Sequence, residues 1–146
     1  KPLNKNIDKN IYDIFYSDDC ISKVQKALQN YNVFSSNFPI EYRIYPEKSK
    51  GMKWHSDTLL YELPQYEAIY TIDNNSDSLT KWIDRESNDN SIWTKPNSLL
   101  IVKANGYKHS VTPLNKGTRT ILKLIYTQTD KTNHNYDKEM LRFNNY

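Results

Sequence analysis

The pattern of apolar and polar residues changes near residue 41. Before that point, apolar residues recur at helical spacing from Ile21 to Leu28, and Ser17 offers a side chain suited to an N-cap. We therefore predict an amphipathic helix over Asp19–Asn30. Residues 1–16 mix polar residues with Ile and Tyr, and no single period predicts an element there.

From Glu41 onward, short apolar or alternating runs are separated by turn residues. We predict strands over Glu41–Tyr45, Lys53–His55, Tyr66–Ile72, Thr80–Asp84, Ser91–Trp93, Ser98–Val102, Lys108–Val111 and Thr118–Thr127. Many short strands at regular spacing are typical of a β-sandwich or a closed barrel. A short helix is predicted over Asp137–Phe143. The expected organisation is one domain: a helical flank over about 1–40, a mainly β barrel over about 41–127, and a tail over 128–146.

Composition excludes several classes of protein. The 146 residues contain one cysteine, so an internal disulfide and a paired-cysteine zinc site are excluded, and three glycines are too few for a glycine-rich phosphate loop. We find no apolar run of membrane-spanning length and no apolar signal core near the first residue, which favours an intracellular, cytoplasmic location and no membrane partner. The net charge of +3 neither requires nor excludes nucleic acid. Abundant Lys, Asn, Ile and Tyr suit an AT-rich genome, such as that of a large virus.

Two of the three histidines stand in a pattern that indicates metal binding. His55 and Asp57 are two residues apart, so in extended backbone they project from the same face. His109 lies at the end of another predicted strand and could complete a set of two histidines and one carboxylate across the barrel. That set holds non-haem Fe(II) and leaves coordination positions open. His134 lies in a polar stretch and is expected to be exposed.

A basic residue follows the second histidine at a useful spacing. Arg119 comes ten residues after His109 and opens the longest predicted strand. An arginine side chain can hold a carboxylate with two parallel hydrogen bonds.

Two segments carry a resemblance to a known family. Residues 43–57 contain a tyrosine, Tyr45, ten residues before the first histidine of the His-x-Asp motif, and residues 109–119 contain His-x-Val-x-Pro, a turn, and Gly-x-Arg. With the apolar strand over 99–102, this set resembles the Fe(II)/2-oxoglutarate-dependent oxygenases, and most closely their prolyl- and lysyl-hydroxylase-like branch. The resemblance covers about residues 41–127.

The resemblance implies a double-stranded β-helix, which is a jelly-roll barrel of the cupin-like kind. It implies that His55, Asp57 and His109 bind Fe(II), that Arg119 pairs with the distal carboxylate of 2-oxoglutarate, and that Tyr45 contacts the same cosubstrate. The implied reaction uses O2 to hydroxylate a substrate C–H bond while 2-oxoglutarate is decarboxylated to succinate.

Three further residues are weaker candidates. Many members of the branch carry a second tyrosine where this chain has Thr71, so Thr71 is a candidate cosubstrate contact in an altered pocket. Alternation along the last strand places Lys123 on the face of Arg119, and Arg43 shares a face with Tyr45. Lys123 and Arg43 are therefore candidates for the substrate pocket.

Three functions remain open from the sequence. The first is a hydroxylase acting on a prolyl or lysyl side chain of a protein or peptide. The second is an oxidative demethylase of nucleic acid, which is disfavoured because such enzymes carry a second arginine where this chain has Ile125. The third is a non-enzymatic metal-binding jelly roll, which the complete ligand set and Arg119 disfavour.

Overall fold

The computed structural model describes residues 1–145 and is mainly β. Three helices flank the strands: α1 (Lys9–Phe15), α2 (Asp18–Leu28) and α3 (His134–Phe143). The strands are β1 (Phe34–Ser35), β2 (Glu41–Tyr45), β3 (Met52–His55), β4 (Tyr66–Asn74), β5 (Thr80–Ile83), β6 (Asp89–Ile92), β7 (Ser98–Lys103), β8 (His109–Val111) and β9 (Arg119–Thr127). Among these residues, no helix combines the length and apolarity needed to cross a membrane.

The strands form two antiparallel sheets. The large sheet has the order β1-β9-β4-β7, with β2 also pairing with β9, and the small sheet has the order β3-β8-β5-β6. From β2 onward, successive strands thus alternate between the sheets in a jelly-roll topology, except that β5 and β6 form a hairpin within the small sheet. No strand pairing joins the two sheets within residues 1–145, so they form an open sandwich and not a closed barrel.

Helices cover the outer face of the large sheet. Ser17 caps α2 by accepting a hydrogen bond from the Cys20 backbone N–H, as its sequence position predicts. The apolar faces of α1 and α2 pack against alternate residues of β4 and β9, including Ala68, Leu122 and Leu124. The other face of β4 and β9 therefore points toward the small sheet, and the candidate site residues of these strands lie on that face.

The opposite end of the sandwich is closed by α3. Met140 and Phe143 of this helix pack with Phe38, Leu60 and Ile125 in a second apolar cluster. A third cluster, centred on Leu114 and Ile121, fills the space between the sheets. The space between the two sheets is therefore bounded by the sheets themselves and, at one end, by the short helix α3.

The predicted jelly roll is confirmed, and the differences from the predicted elements are local. Helix α1 has no counterpart in the prediction because it spans only seven residues. Helix α3 begins at His134, since the Asn133 side chain caps it by accepting from two backbone N–H groups. Strand β6 begins at Asp89, two residues before the predicted start at Ser91.

A glycine turn fixes where β9 begins. Gly117 has φ +72°, and a Cβ atom there would lie 2.4 Å from the Asn75 backbone oxygen. The same turn is held by the Thr118 N–H, which donates to the Asn75 side chain at 2.7 Å. Because Arg119 follows at once, the turn determines the position of that guanidinium.

We predict that Gly117→Ala lowers the free energy of unfolding by about 2–4 kcal/mol, because it adds backbone strain and a steric clash with Asn75. Urea denaturation followed by circular dichroism measures the change. Lys116→Ala, at the exposed neighbouring position, is the control and should change stability by less than about 0.5 kcal/mol. Equal stability of the two variants would contradict this account of the turn.

Candidate metal centre and cosubstrate pocket

His55, Asp57 and His109, called the triad below, meet between the two sheets. The Nε2 atom of His55 lies 3.6 Å from one carboxylate oxygen of Asp57, and the Nε2 atom of His109 lies 3.5 Å from the other. Three ligand atoms, one from each residue, lie within 4.8 Å of one another. The structure thus brings together all three metal ligands predicted from the sequence.

Strand pairing explains this meeting. His55 ends β3 and is the direct cross-strand partner of His109 in β8, so their side chains leave the small sheet on the same side. The two rings are 4.4 Å apart between centroids. Asp57 lies just beyond the end of β3, where its carboxylate faces both rings.

Backbone carbonyls set the tautomer of both histidines. The Nδ1 atom of His55 lies 2.6 Å from the Lys53 carbonyl, and that of His109 lies 3.1 Å from the Tyr107 carbonyl. A carbonyl only accepts, so each Nδ1 carries a proton, and each Nε2 is the ring atom left to bind a metal beside Asp57. Two imidazoles and one carboxylate in this arrangement fit Fe(II), and the carbonyls supply the orienting hydrogen bonds that metal-bound histidines normally have.

A narrow cavity between the sheets is lined by both the triad and Arg119. This inner cavity, of about 40 Å³, is lined by His55, Asp57, His109 and Arg119, together with Tyr45 and apolar residues of both sheets. Arg119 is 3% exposed, and its buried Nε atom has no hydrogen-bond partner. No carboxylate within residues 1–145 forms a salt bridge with it. Burial lowers the pKa of Arg119, which reflects the cost of an unpaired cation there. An organic anion would remove that cost.

The other two predicted cosubstrate contacts lie differently. Tyr45 pairs with Arg119 across β2 and β9, and the guanidinium carbon lies 5.7 Å from its ring centroid. Thr71 is buried on the same inner face, opposite Ile121, but does not form part of the inner cavity wall. Thr80, in contrast, lines the inner cavity, and its buried Oγ1 atom has no hydrogen-bond partner.

The two predicted substrate-pocket residues are both paired with acids. Lys123 reaches Glu67 at 3.2 Å, and Arg43 reaches Glu41 at 2.9 Å. Burial would lower the pKa of Lys123, but the charges of Glu67 and Asp57 outweigh it and raise that pKa. Lys123 lines both the inner cavity and a second opening, the outer cleft, while Arg43 lines only the inner cavity.

The outer cleft, of about 180 Å³, opens beside the triad under α3 and contains acidic residues that sequence reasoning did not identify. Glu41, Glu67 and Glu139 line it. Burial would raise the pKa of Glu41, but Arg43 and Arg142 lower it overall. Alternation along β4 could have revealed Glu67, because it shares a face with Thr71. The same alternation along β2 places Glu41 on the face of Arg43 and Tyr45, whereas Glu139 gave no such signal, since its approach depends on how α3 packs.

We predict that Arg119→Met stabilises the ligand-free protein by about 1–2 kcal/mol, because it replaces a buried unpaired cation with an apolar side chain of similar length. Denaturant unfolding of the metal-free protein measures the change. Arg85→Met removes an exposed arginine as the control and should have little effect. A clear loss of stability in Arg119→Met would mean that the guanidinium is already satisfied within the fold.

A second prediction concerns the Lys123–Glu67 pair. Lys123→Met alone should lower the free energy of unfolding by about 3 kcal/mol at neutral pH, because it leaves a buried carboxylate without its partner. In this variant the folded-state pKa of Glu67 exceeds its unfolded value, so the loss should be smaller at pH 5 than at pH 7. Lys123→Met with Glu67→Leu should recover most of the stability. A double variant as unstable as the single one would show that the loss does not come from leaving the Glu67 carboxylate without its partner.

The comparisons with known proteins agree with this fold. No sequence-family model matches the chain, and no curated protein matches it in sequence. A 2OG-Fe(II) oxygenase family oxidoreductase from Burkholderia pseudomallei aligns with a TM-score of 0.73 and 11% identity, covering 86% of this chain and 58% of that protein. A prolyl-4-hydroxylase from Pseudomonas putida aligns with a TM-score of 0.61 and 13% identity, covering 78% and 64%. The chain therefore spans about three fifths of the length of these two solved structures. The resemblance predicted from the sequence motifs is confirmed in three dimensions: this chain has the jelly-roll fold of 2OG-Fe(II) oxygenases, among them a prolyl hydroxylase.

Proposed function

We propose that the protein is an Fe(II)- and 2-oxoglutarate-dependent dioxygenase. The observation that carries this proposal is one cavity lined both by the triad and by an unpaired, buried Arg119. With O2, the bound iron and 2-oxoglutarate would supply the oxidising chemistry that hydroxylates a C–H bond and yields succinate and CO2.

Each residue of the cavity has a defined part in this proposal. The Nε2 atoms of His55 and His109 and the carboxylate of Asp57 hold the metal. Arg119 binds the distal carboxylate of 2-oxoglutarate, and Tyr45 supports the guanidinium by packing its ring beside it. The apolar walls exclude water, which strengthens the pairing between Arg119 and the carboxylate. Thr80, with its unpartnered hydroxyl, takes the contact for which Thr71 was the candidate.

We further propose that the reacting group is a prolyl or lysyl side chain of a protein or peptide. The sequence motifs resemble the hydroxylase branch, and one of the structurally similar proteins is named as a prolyl-4-hydroxylase. Ile125 stands on the inner face where a nucleic-acid demethylase would place a second arginine, and it packs in the apolar cluster under α3.

Titration of the metal-free protein with Fe(II) and 2-oxoglutarate under argon tests the metal and cosubstrate sites. We expect a visible charge-transfer band that requires both additions. His109→Ala should abolish it, because one of three ligands is lost, whereas His134→Ala removes an exposed histidine and should leave it intact. Arg119→Met should raise the 2-oxoglutarate concentration required by about 100-fold, which corresponds to about 3 kcal/mol for a charged hydrogen-bonded pair.

The same titration can contradict the proposal. Folded protein that gives no band, or a band that persists in His109→Ala, would exclude the proposed centre. Slow formation of succinate in air without any added substrate would separate an enzyme from a metal-binding jelly roll without activity. Stimulation by proline- or lysine-containing peptides, and not by methylated oligonucleotides, would support the proposed substrate class.

A further inference from the structure

A third opening lies on the open side of the sandwich, away from the outer cleft. This edge cleft, of about 500 Å³, is bounded by β7 of the large sheet and by β5 of the small sheet. Its wall includes Leu100, Val102 and Lys103 of β7, Thr80 and Trp82 of β5, and Arg85, together with two tyrosines.

The edge cleft connects directly with the metal centre. Thr80, Leu100, Val102 and His109 line both the edge cleft and the inner cavity. Trp82 is the cross-strand partner of His109, so its side chain leaves the small sheet on the same side as that metal ligand. A ligand in the edge cleft therefore lies beside the triad.

The backbone of β7 has a free edge along this cleft. Strand β7 pairs only with β4, and the Ala104 N–H donates to the Gln65 carbonyl at 2.8 Å where that ladder begins. Hydrogen-bonded and non-bonded pairs alternate in an antiparallel ladder, so Leu99 and Ile101 point their N–H and C=O groups away from β4. No other group in residues 1–145 bonds to these four backbone atoms.

The central residues of the β7 edge are apolar, whereas the edge strands of most proteins carry charged or other protecting residues there. Leu99, Leu100, Ile101 and Val102 are all only half-buried, and the first charge in the strand is Lys103 at its end. Proteins usually guard such an edge with central charges, proline or a covering element, because it invites pairing with another strand. An unguarded edge beside an active site is suited to strand addition by a peptide.

The charge of the edge cleft selects among peptides. Arg85 and Lys103 line it, no acidic residue does, and neither cation forms a salt bridge within the described chain. The outer cleft differs, since Glu41, Glu67 and Glu139 line it. An acidic peptide is therefore favoured at the edge cleft by electrostatic complementarity.

Resting on the proposed function, we infer that the edge cleft is the docking site for an extended acidic peptide substrate. The peptide adds to β7 as a further strand, and its alternate side chains point into the sandwich toward Trp82 and the triad. The aromatic residues and cations would also suit single-stranded nucleic acid. The free backbone edge favours the peptide, because it satisfies main-chain donors and acceptors that nucleic acid does not match.

Fluorescence anisotropy of the protein loaded with Fe(II) and 2-oxoglutarate under argon tests this inference. The probes are two pools of labelled nonapeptides that have proline or lysine at the centre. One pool has glutamate and the other lysine at two fixed flanking positions, and oligothymidylate is a third probe. We expect the glutamate pool to bind at least tenfold more tightly than either other probe.

Two pairs of variants separate the charge from the strand edge. Arg85→Glu with Lys103→Glu should remove the preference for the glutamate pool, whereas Lys26→Glu with Lys138→Glu, on exposed helical positions, should keep it. Ile101→Pro deletes an N–H on the free edge and should weaken binding at least tenfold. Ser91→Pro deletes an equivalent N–H of β6, the edge of the small sheet, and should have no effect.

The outcomes are distinguishable from failure of the proposed function. The charge-transfer band should be unchanged in all four variants, because none touches the triad or Arg119. If the band forms but the protein does not prefer the glutamate pool, the docking site alone is overturned. The same holds if peptide binding is unchanged in both edge-cleft variants. Tighter binding of oligothymidylate would also overturn it and would indicate nucleic acid. Absence of the band in the unmodified protein would overturn the proposed function itself.

Discussion

The pairing of β3 with β8 is the constraint on which the rest of the site depends. It places His55 opposite His109, and every other feature of the metal centre is built around those two rings. Their carbonyl hydrogen bonds leave both Nε2 atoms facing one carboxylate. A slip of one residue in this register would turn one histidine to the outer face of the sheet and leave no set of three ligands.

The interior of the sandwich contains two kinds of buried charge. Lys123 and Glu67 neutralise each other within the fold, whereas Arg119 has no acidic partner among the described residues. Burial is unfavourable for each of these groups, so the fold must compensate for an unpaired guanidinium with stability gained elsewhere. The helices packed on β4 and β9 provide apolar burial of that kind. The unpaired charge thus indicates a ligand more directly than the paired one does.

Alternation predicted the strands, the resemblance to a known family implied the jelly roll, and motif spacing predicted the meeting of the triad. His55 and Asp57 share a face because they are two residues apart, and the position of His109 at a strand end placed it within reach. The sequence could not show that Thr80 lines the inner cavity and Thr71 does not, because that depends on the packing of one sheet over the other. Helix α1 was not predicted because seven residues give too little periodicity. The Glu41–Arg142 contact was not predictable either, because it depends on how α3 packs against the sheet. Interactions within one strand or turn were thus predictable, while those between layers were not.

The small sheet also differs from the large one in how firmly it is held. Its four strands have only three or four residues each, and Trp54 and Ile92 remain largely exposed on them, whereas β4 and β9 each have nine residues. Amide hydrogens of β3 and β8 should therefore exchange with solvent much faster than those at the centre of β4. Both histidines of the triad belong to this less protected sheet. A bound metal would connect β3 to β8 through side chains as well as through the backbone, so occupancy of the centre and order of the small sheet would rise together.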